Sequence, residues 1–156
     1  MSLASAVVQA LLSDVAFKSV CPQVYAGDGG QATKFPYIVI YATDQDAQET
    51  LDPKGDREAL AAAGQTIFET GGATDSVELH CLHDSQALAW RLGRHARRVL
   101  LDYEGETTIN GLTIRIDAVH PTGETNDTIR SEDGSQIHSF ECLQTFRILF
   151  DVRETV

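Results

Sequence analysis

Apolar positions recur at helical spacing in two places along this chain and alternate at three others. Leu3, Val7 and Leu11 return every four residues, with Ala6 and Ala10 beside them and Ser2 as a candidate N-cap. That spacing predicts a short amphipathic helix of about three turns. Leu88, Leu92, Ala96 and Val99, with Leu100 and Tyr103 at the margin, predict a second helix over about 84–101. Asp84 is its expected N-cap, and Gly105 follows its end.

Between and after the helices the period changes to two. Val77, Leu79 and Cys81 alternate with Glu78 and His80, and Leu112, Ile114, Ile116 and Ala118 alternate with Thr113, Arg115 and Asp117. A last strand places Phe146, Ile148, Phe150 and Val152 opposite Thr145, Arg147 and Asp151. Pro36-Tyr37-Ile38-Val39-Ile40-Tyr41-Ala42 is apolar on both faces, as a central or doubly covered strand would be. Asn110-Gly111 marks a turn ahead of the strand from Leu112. Two polar stretches, 44–75 and 122–138, read as long acidic loops or arms, with a helical turn at Arg57–Ala63 and a short strand at Gln65–Phe68. The pattern predicts one α+β domain over 1–156: a largely antiparallel sheet of about four strands, with two helices packed on one face and the other face polar.

Composition narrows the function more than the fold. Hydrophobic residues make up 42% and charged residues 22%, and no apolar run approaches the roughly 18 residues of a membrane span. The N-terminal residues lack a basic leader, so no signal peptide is expected and synthesis in the cytoplasm is. A net charge of −11 argues against gripping nucleic acid through its phosphates, though not against DNA passing nearby. Cys21, Cys81 and Cys142 form an odd, widely spaced set that suits reduced, buried thiols.

Candidate chemistry is sparse. His80-Cys81-Leu82-His83 is a single ligand-rich cluster, and Cys81, His83 and Cys142 are the residues a metal site or a Cys/His enzyme would use. Zinc sites favour two paired clusters, and Cys81 falls on the apolar alternation, so a core thiol is the simpler reading. Gly27-Asp28-Gly29-Gly30 lacks the Lys-Ser/Thr of a phosphate loop. No catalytic constellation, metal or cofactor is expected.

The charges are more informative. Arg91, Arg94 and Arg98 form a basic stripe opposite the apolar stripe of the second helix, with His95 adjoining, and Trp90 lies nearer this basic side. Residues 44–75 hold eight carboxylates, among them Asp44, Asp46, Glu49 and Asp52, against Lys54 and Arg57. Two readings follow: solvated faces, or a contact between subunits in which one copy's acidic arm lies on another's arginines.

The order of segments resembles a known family. Met1-Ser2-Leu3 opens a short helix, Val24-Tyr25 follows, and then Phe35-Pro36-Tyr37-Ile38-Val39-Ile40-Tyr41. Thr50-Leu51-Asp52, Asp84-Ser85-Gln86-Ala87-Leu88-Ala89, Gly111-Leu112-Thr113-Ile114 and a final strand in Phe140–Val152 complete the order. This arrangement is similar to the small tail-completion, or tail-terminator, proteins of long-tailed bacteriophages and prophages. The stretches 44–75 and 122–138 are longer than that family's pattern leads one to expect. The resemblance implies a homo-hexameric ring that caps the tail tube, stops its polymerisation and joins it to the head connector. It implies three partners: further copies of the chain, the tail tube protein and a head-completion or connector protein. Genomic DNA would pass through the lumen without sequence-specific binding, in a virion tail or neck assembled in the host cytoplasm. A head-completion protein, a small metal-binding or Cys/His enzyme domain, and an adaptor domain unrelated to phage are the alternatives.

Overall fold

The computed structural model describes residues 3–27, 34–46, 67–109, 111–131 and 133–154. In chain order they form α1 (Leu3–Ser13), α2 (Val15–Val20), β1 (Val24–Ala26), β2 (Tyr37–Asp46) and β3 (Ile67–His83). Then come α3 (Gln86–Leu101), β4 (Gly105–Ile109), β5 (Leu112–Arg130) and β6 (Ile137–Glu154). The strands make one curled six-stranded sheet in the order β1-β2-β3-β6-β5-β4. All neighbours are antiparallel except β1 and β2, which run parallel.

This corrects the expected sheet of about four antiparallel strands with two helices: the described residues hold six strands, a parallel pair and three helices. The additions are all short. β1 has three residues and α2 six, too few to register as a pattern, and the five residues of β4, GETTI, carry no apolar alternation. α2 is started by Asp14, whose side chain accepts a 2.8 Å hydrogen bond from the Phe17 amide. For α3 the N-cap is Ser85 rather than Asp84, whose carboxylate instead lies 2.6 Å from His83 Nδ1.

The strand lengths depart most from expectation. Much of 122–138 is not loop but a β5–β6 hairpin, paired from Leu112↔Glu154 to Arg130↔Ile137. Residues of this arm are polar on both faces, so pairing with β6 rather than an apolar pattern makes them a strand. Its tip closes through the Ser131 amide donating to the Gln136 carbonyl and through Gly134 at φ +74. Asp133 there accepts from Ser131 and Ser135, which holds its carboxyl down at about 2. β3 likewise reaches back to Ile67, while Arg57–Ala63 and the rest of 47–66 lie outside the described residues.

β4 pairs only with Leu112–Ile116, so the outer edge of β5 from Asp117 to Arg130 carries no strand among the described residues. Pro121 and register shifts at Ile116/Ala118 and Pro121/Gly123 interrupt the first half of that edge.

Helices and sheet meet at one core. Leu3, Ala6, Val7, Ala10 and Leu11 of α1, Phe17 of α2 and Leu92, Ala96 and Leu100 of α3 pack with Ile38, Ile40, Val77, Leu79, Cys81, Phe146 and Ile148. The contact line of α3 is Ala89, Leu92, Gly93, Ala96 and Leu100; Leu88 stands outside it. Gly93 sets the distance between α3 and β6. A Cβ there would overlap Cys142 Sγ and stand 3.0 Å from Cys142 Cβ and 3.3 Å from Gln144 Nε2.

Gly93→Ala is therefore expected to lower stability. The clash should cost about 1–3 kcal/mol, against about 1 kcal/mol gained from helix propensity. Denaturant unfolding should show the loss, and Cys142→Ala in the same chain should recover part of it. A Gly93→Ala protein more stable than wild type would show that the contact is loose.

Candidate assembly interface

The outer surface of α3 is the most chemically distinctive face of the molecule. Placing Ala89, Leu92, Gly93 and Ala96 against the sheet turns Leu88, Trp90, Arg91, Arg97, Arg98 and Leu101 outward or to the flanks. They line an open groove of about 940 Å³, joined by Val20 from the end of α2, Pro36 before β2 and His83 at the end of β3. Val20, Leu88, Trp90 and Leu101 are between 41% and 52% exposed, so the groove has an apolar floor. Four arginines and His95 contribute its polar rim.

The arginines divide into two groups. Arg94 turns inward over the edge of the sheet. Its Nε donates to Glu124 Oε1 at 3.0 Å and its Nη2 to Glu124 Oε2 at 2.8 Å. Its guanidinium also lies 5.2 Å from the Trp90 ring, a cation–π contact that fixes the indole on the groove floor. Arg91, Arg97 and Arg98 have no carboxylate at ion-pair distance among the described residues. The expected stripe of Arg91, Arg94 and Arg98 is thus only partly available to a partner.

Glu124 was assigned by sequence to an acidic loop; it is instead the anchor of a half-buried network. Its Oε1 also accepts from Gln144 Nε2 at 3.0 Å, and Cys142 Sγ lies 3.8 Å away. Gln144 is fully buried, and its Oε1 has no hydrogen-bond partner among the described residues. The alternation Cys142, Gln144, Phe146, Ile148 points Gln144 inward, which is the signal that reveals it. Nothing in the sequence reveals Glu124, because the irregularities at Ile116/Ala118 and Pro121/Gly123 break the parity of β5 before it.

The acidic half of the expected contact is located only in part. Asp44 and Asp46 belong to the end of β2, and Glu49 and Asp52 lie outside the described residues.

The cysteine and histidine candidates separate onto two faces. Cys81 and Cys142 sit directly opposite each other across β3 and β6 on the helix side, and both are fully buried free thiols, as is Cys21. Burial raises all three, Cys21 to about 11, which suits inert core thiols rather than nucleophiles. No group of three His, Cys, Asp or Glu side chains among the described residues is placed to hold a metal ion. His80 faces the other way, with Nδ1 3.1 Å from Glu141 and Nε2 3.2 Å from Glu78, and Tyr41 stands edge-on to its ring. The hydrogen bond that the protonated ring donates to Glu141 leads in raising its pKa above the usual histidine value. Tyr37, Val39 and Tyr41 share that sheet face, so it is less polar than the alternation implies, and Val39 is only 6% exposed.

Two outcomes follow. A thiol reagent should label native protein slowly and take up three equivalents on denaturation; fast labelling of any one cysteine would mark a reactive site. Because the folded pKa of His80 is raised, its contribution is complete below the unfolded value near 6.5 and is lost as pH rises through the folded one. His80→Gln should therefore cost more stability at pH 5.5 than at pH 9, and equal losses would show that the two glutamates do not hold the imidazolium.

No helix among the described residues is long and apolar enough to cross a membrane. Comparison with known proteins leaves this face to be read from its own chemistry, since no family model and no curated protein matches the chain.

Proposed function

We propose that this chain is a structural subunit that acts by ring assembly, as a tail-completion or tail-terminator protein of a long-tailed phage or prophage. The observation that carries the reading is the outer face of α3, where exposed Trp90, Leu88, Leu101 and Val20 lie within a rim of arginines. Tryptophan and arginine around an apolar patch are the chemistry of a protein–protein contact. The order of segments described above supports the same reading.

Under it the copies close into a hexameric ring through heterologous contacts, which require two different complementary patches on each subunit. One face of the ring copies the contacts of the tail tube and seats on its last layer. The opposite face lacks the surface that would recruit another tube layer, so growth stops and the head connector docks there. DNA passes through the lumen, and a subunit of net charge −11 offers phosphates little to hold them. The partners are further copies, the tail tube protein and the connector, and the place of action is the tail or neck of the virion.

Negative-stain images and native mass across a concentration series, repeated with isolated tail tubes, test this. Hexameric rings with a central hole, free or on tube ends, are the expected result. Monomers at every concentration that also ignore tube ends would overturn it. Binding to portal-bearing heads instead of tubes would move the protein to the head-completion layer.

A further inference from the structure

We propose that Cys81 and Cys142 form a cross-strand dithiol that a low-molecular-weight disulfide closes to an S–S bond, drawing the Cys142 sulfur out from under α3. The site does not depend on the ring reading.

β3 and β6 are neighbours at the middle of the sheet, and Cys81 stands directly opposite Cys142 between them. Opposed residues of an antiparallel pair have Cα atoms about 4.5 or 5.5 Å apart, and disulfides span about 4.4–6.8 Å. Both side chains leave the sheet on its helix side, so the backbone already meets the requirement for a bond. What holds the thiols apart is the turn of Cys142. Its Sγ lies 3.4 Å from Gln144 Nε2 and 3.8 Å from Glu124 Oε1, on the side of β5, whereas β3 flanks the other side of β6. Rotation about χ1 carries the sulfur from there toward Cys81. Cys21 is placed differently: it caps the end of α2, with Sγ 3.6 Å from the Gln23 carbonyl and 3.8 Å from that of Pro36.

Cys142 lies directly beneath the Arg94–Glu124 pair, which reaches solvent, so opening of that pair uncovers Cys142 first. Its thiolate attacks one sulfur of the oxidant. The oxidant's S–S bond breaks, a mixed disulfide forms, and one half leaves as a thiolate that takes up the proton Cys142 lost. Cys81 then attacks the Cys142 sulfur, and the second half leaves in the same way. The protein gives up two electrons and two protons, which the oxidant carries off as two thiols. Burial raises both cysteines, so attack is slow at neutral pH and quickens as pH rises.

Closure alters the seat of α3, because the space over Gly93 is filled by Cys142 Sγ in the reduced chain. It also takes the sulfur away from Gln144 and Glu124. Glu124 holds Arg94, and Arg94 braces Trp90, so the state of two core thiols reaches the exposed face of the helix.

Treating native protein with 2-hydroxyethyl disulfide tests the site. The chain should lose the mass of two hydrogens, and a digest should link the Cys81 peptide to the Cys142 peptide. Trp90, the one tryptophan, should shift its emission. Cys21→Ala should behave as wild type, whereas Cys81→Ala should stop at the mixed disulfide on Cys142. In Gly93→Ala the added Cβ claims the space of the reduced sulfur, so closure should need about tenfold less oxidant relative to its thiol. A native chain that keeps all three thiols, stops at the mixed disulfide or places Cys21 in the bond would overturn the pair. A Cys81–Cys142 bond that leaves Trp90 emission unchanged and closes no more readily in Gly93→Ala would overturn its effect on α3.

Discussion

The approach of α3 to β6 at Gly93 governs the rest of this molecule. With no side chain at that position the helix lies directly on Cys142 and Gln144, and only small residues, Ala89 and Ala96, share the contact line with Leu92 and Leu100. A helix held this close presents a narrow buried face and a broad outer one. Trp90, Leu88 and Leu101 stand on the flanks of that contact line and are left outside. The exposed apolar surface thus follows from which face of the helix meets the sheet.

The same approach sorts the charges. From a helix at this height Arg94 reaches across the sheet edge to Glu124, and that ion pair borders the fully buried Gln144. Removing Arg94 would leave Glu124, whose side chain is 18% exposed, without its counter-charge beside an amide already lacking one partner. Arg94 is therefore part of the fold, whereas Arg91 and Arg98 are spent on nothing within the described chain. A stripe that looks uniform on a helical wheel is two sets of residues with different work. The cation–π contact joins them, because Arg94 braces the indole that floors the groove.

What the sequence made legible follows from how much periodicity each element contains. The α1 stripe of Leu3, Val7 and Leu11 and the inward alternation Val77, Leu79, Cys81 were readable because burial alone decides them. The position of Trp90 outside the apolar stripe was readable for the same reason. Leu88 was assigned to the α3 stripe because large apolar residues usually mark one, but the contact line runs through Ala89, Gly93 and Leu100, with Val99 partly buried beside it as assigned. β1 and α2 are too short to show a pattern, and β4 and the outer half of β5 carry no apolar alternation. Their formation depends on partners distant in sequence, above all β6, and no local window contains that information.

In the proposed ring, acidic copies must meet one another, a conflict that the placement of charge on α3 would ease. Copies of net charge −11 repel one another at long range, which keeps a subunit with an exposed tryptophan from sticking indiscriminately. That repulsion fades over a Debye length of about 8 Å in physiological salt, whereas a carboxylate seated on an arginine fork over apolar surface is screened far less. Under the ring reading, attraction would be confined to contacts that use the α3 face, and other encounters between copies would be discouraged. Four of the nine arginines stand on α3, so the proposed contact would set a locally basic face against an otherwise acidic copy. An arginine rim suits such a contact better than lysine, since a planar fork fixes a partner's orientation as well as its charge, and a ring would close only if each contact repeated the same angle.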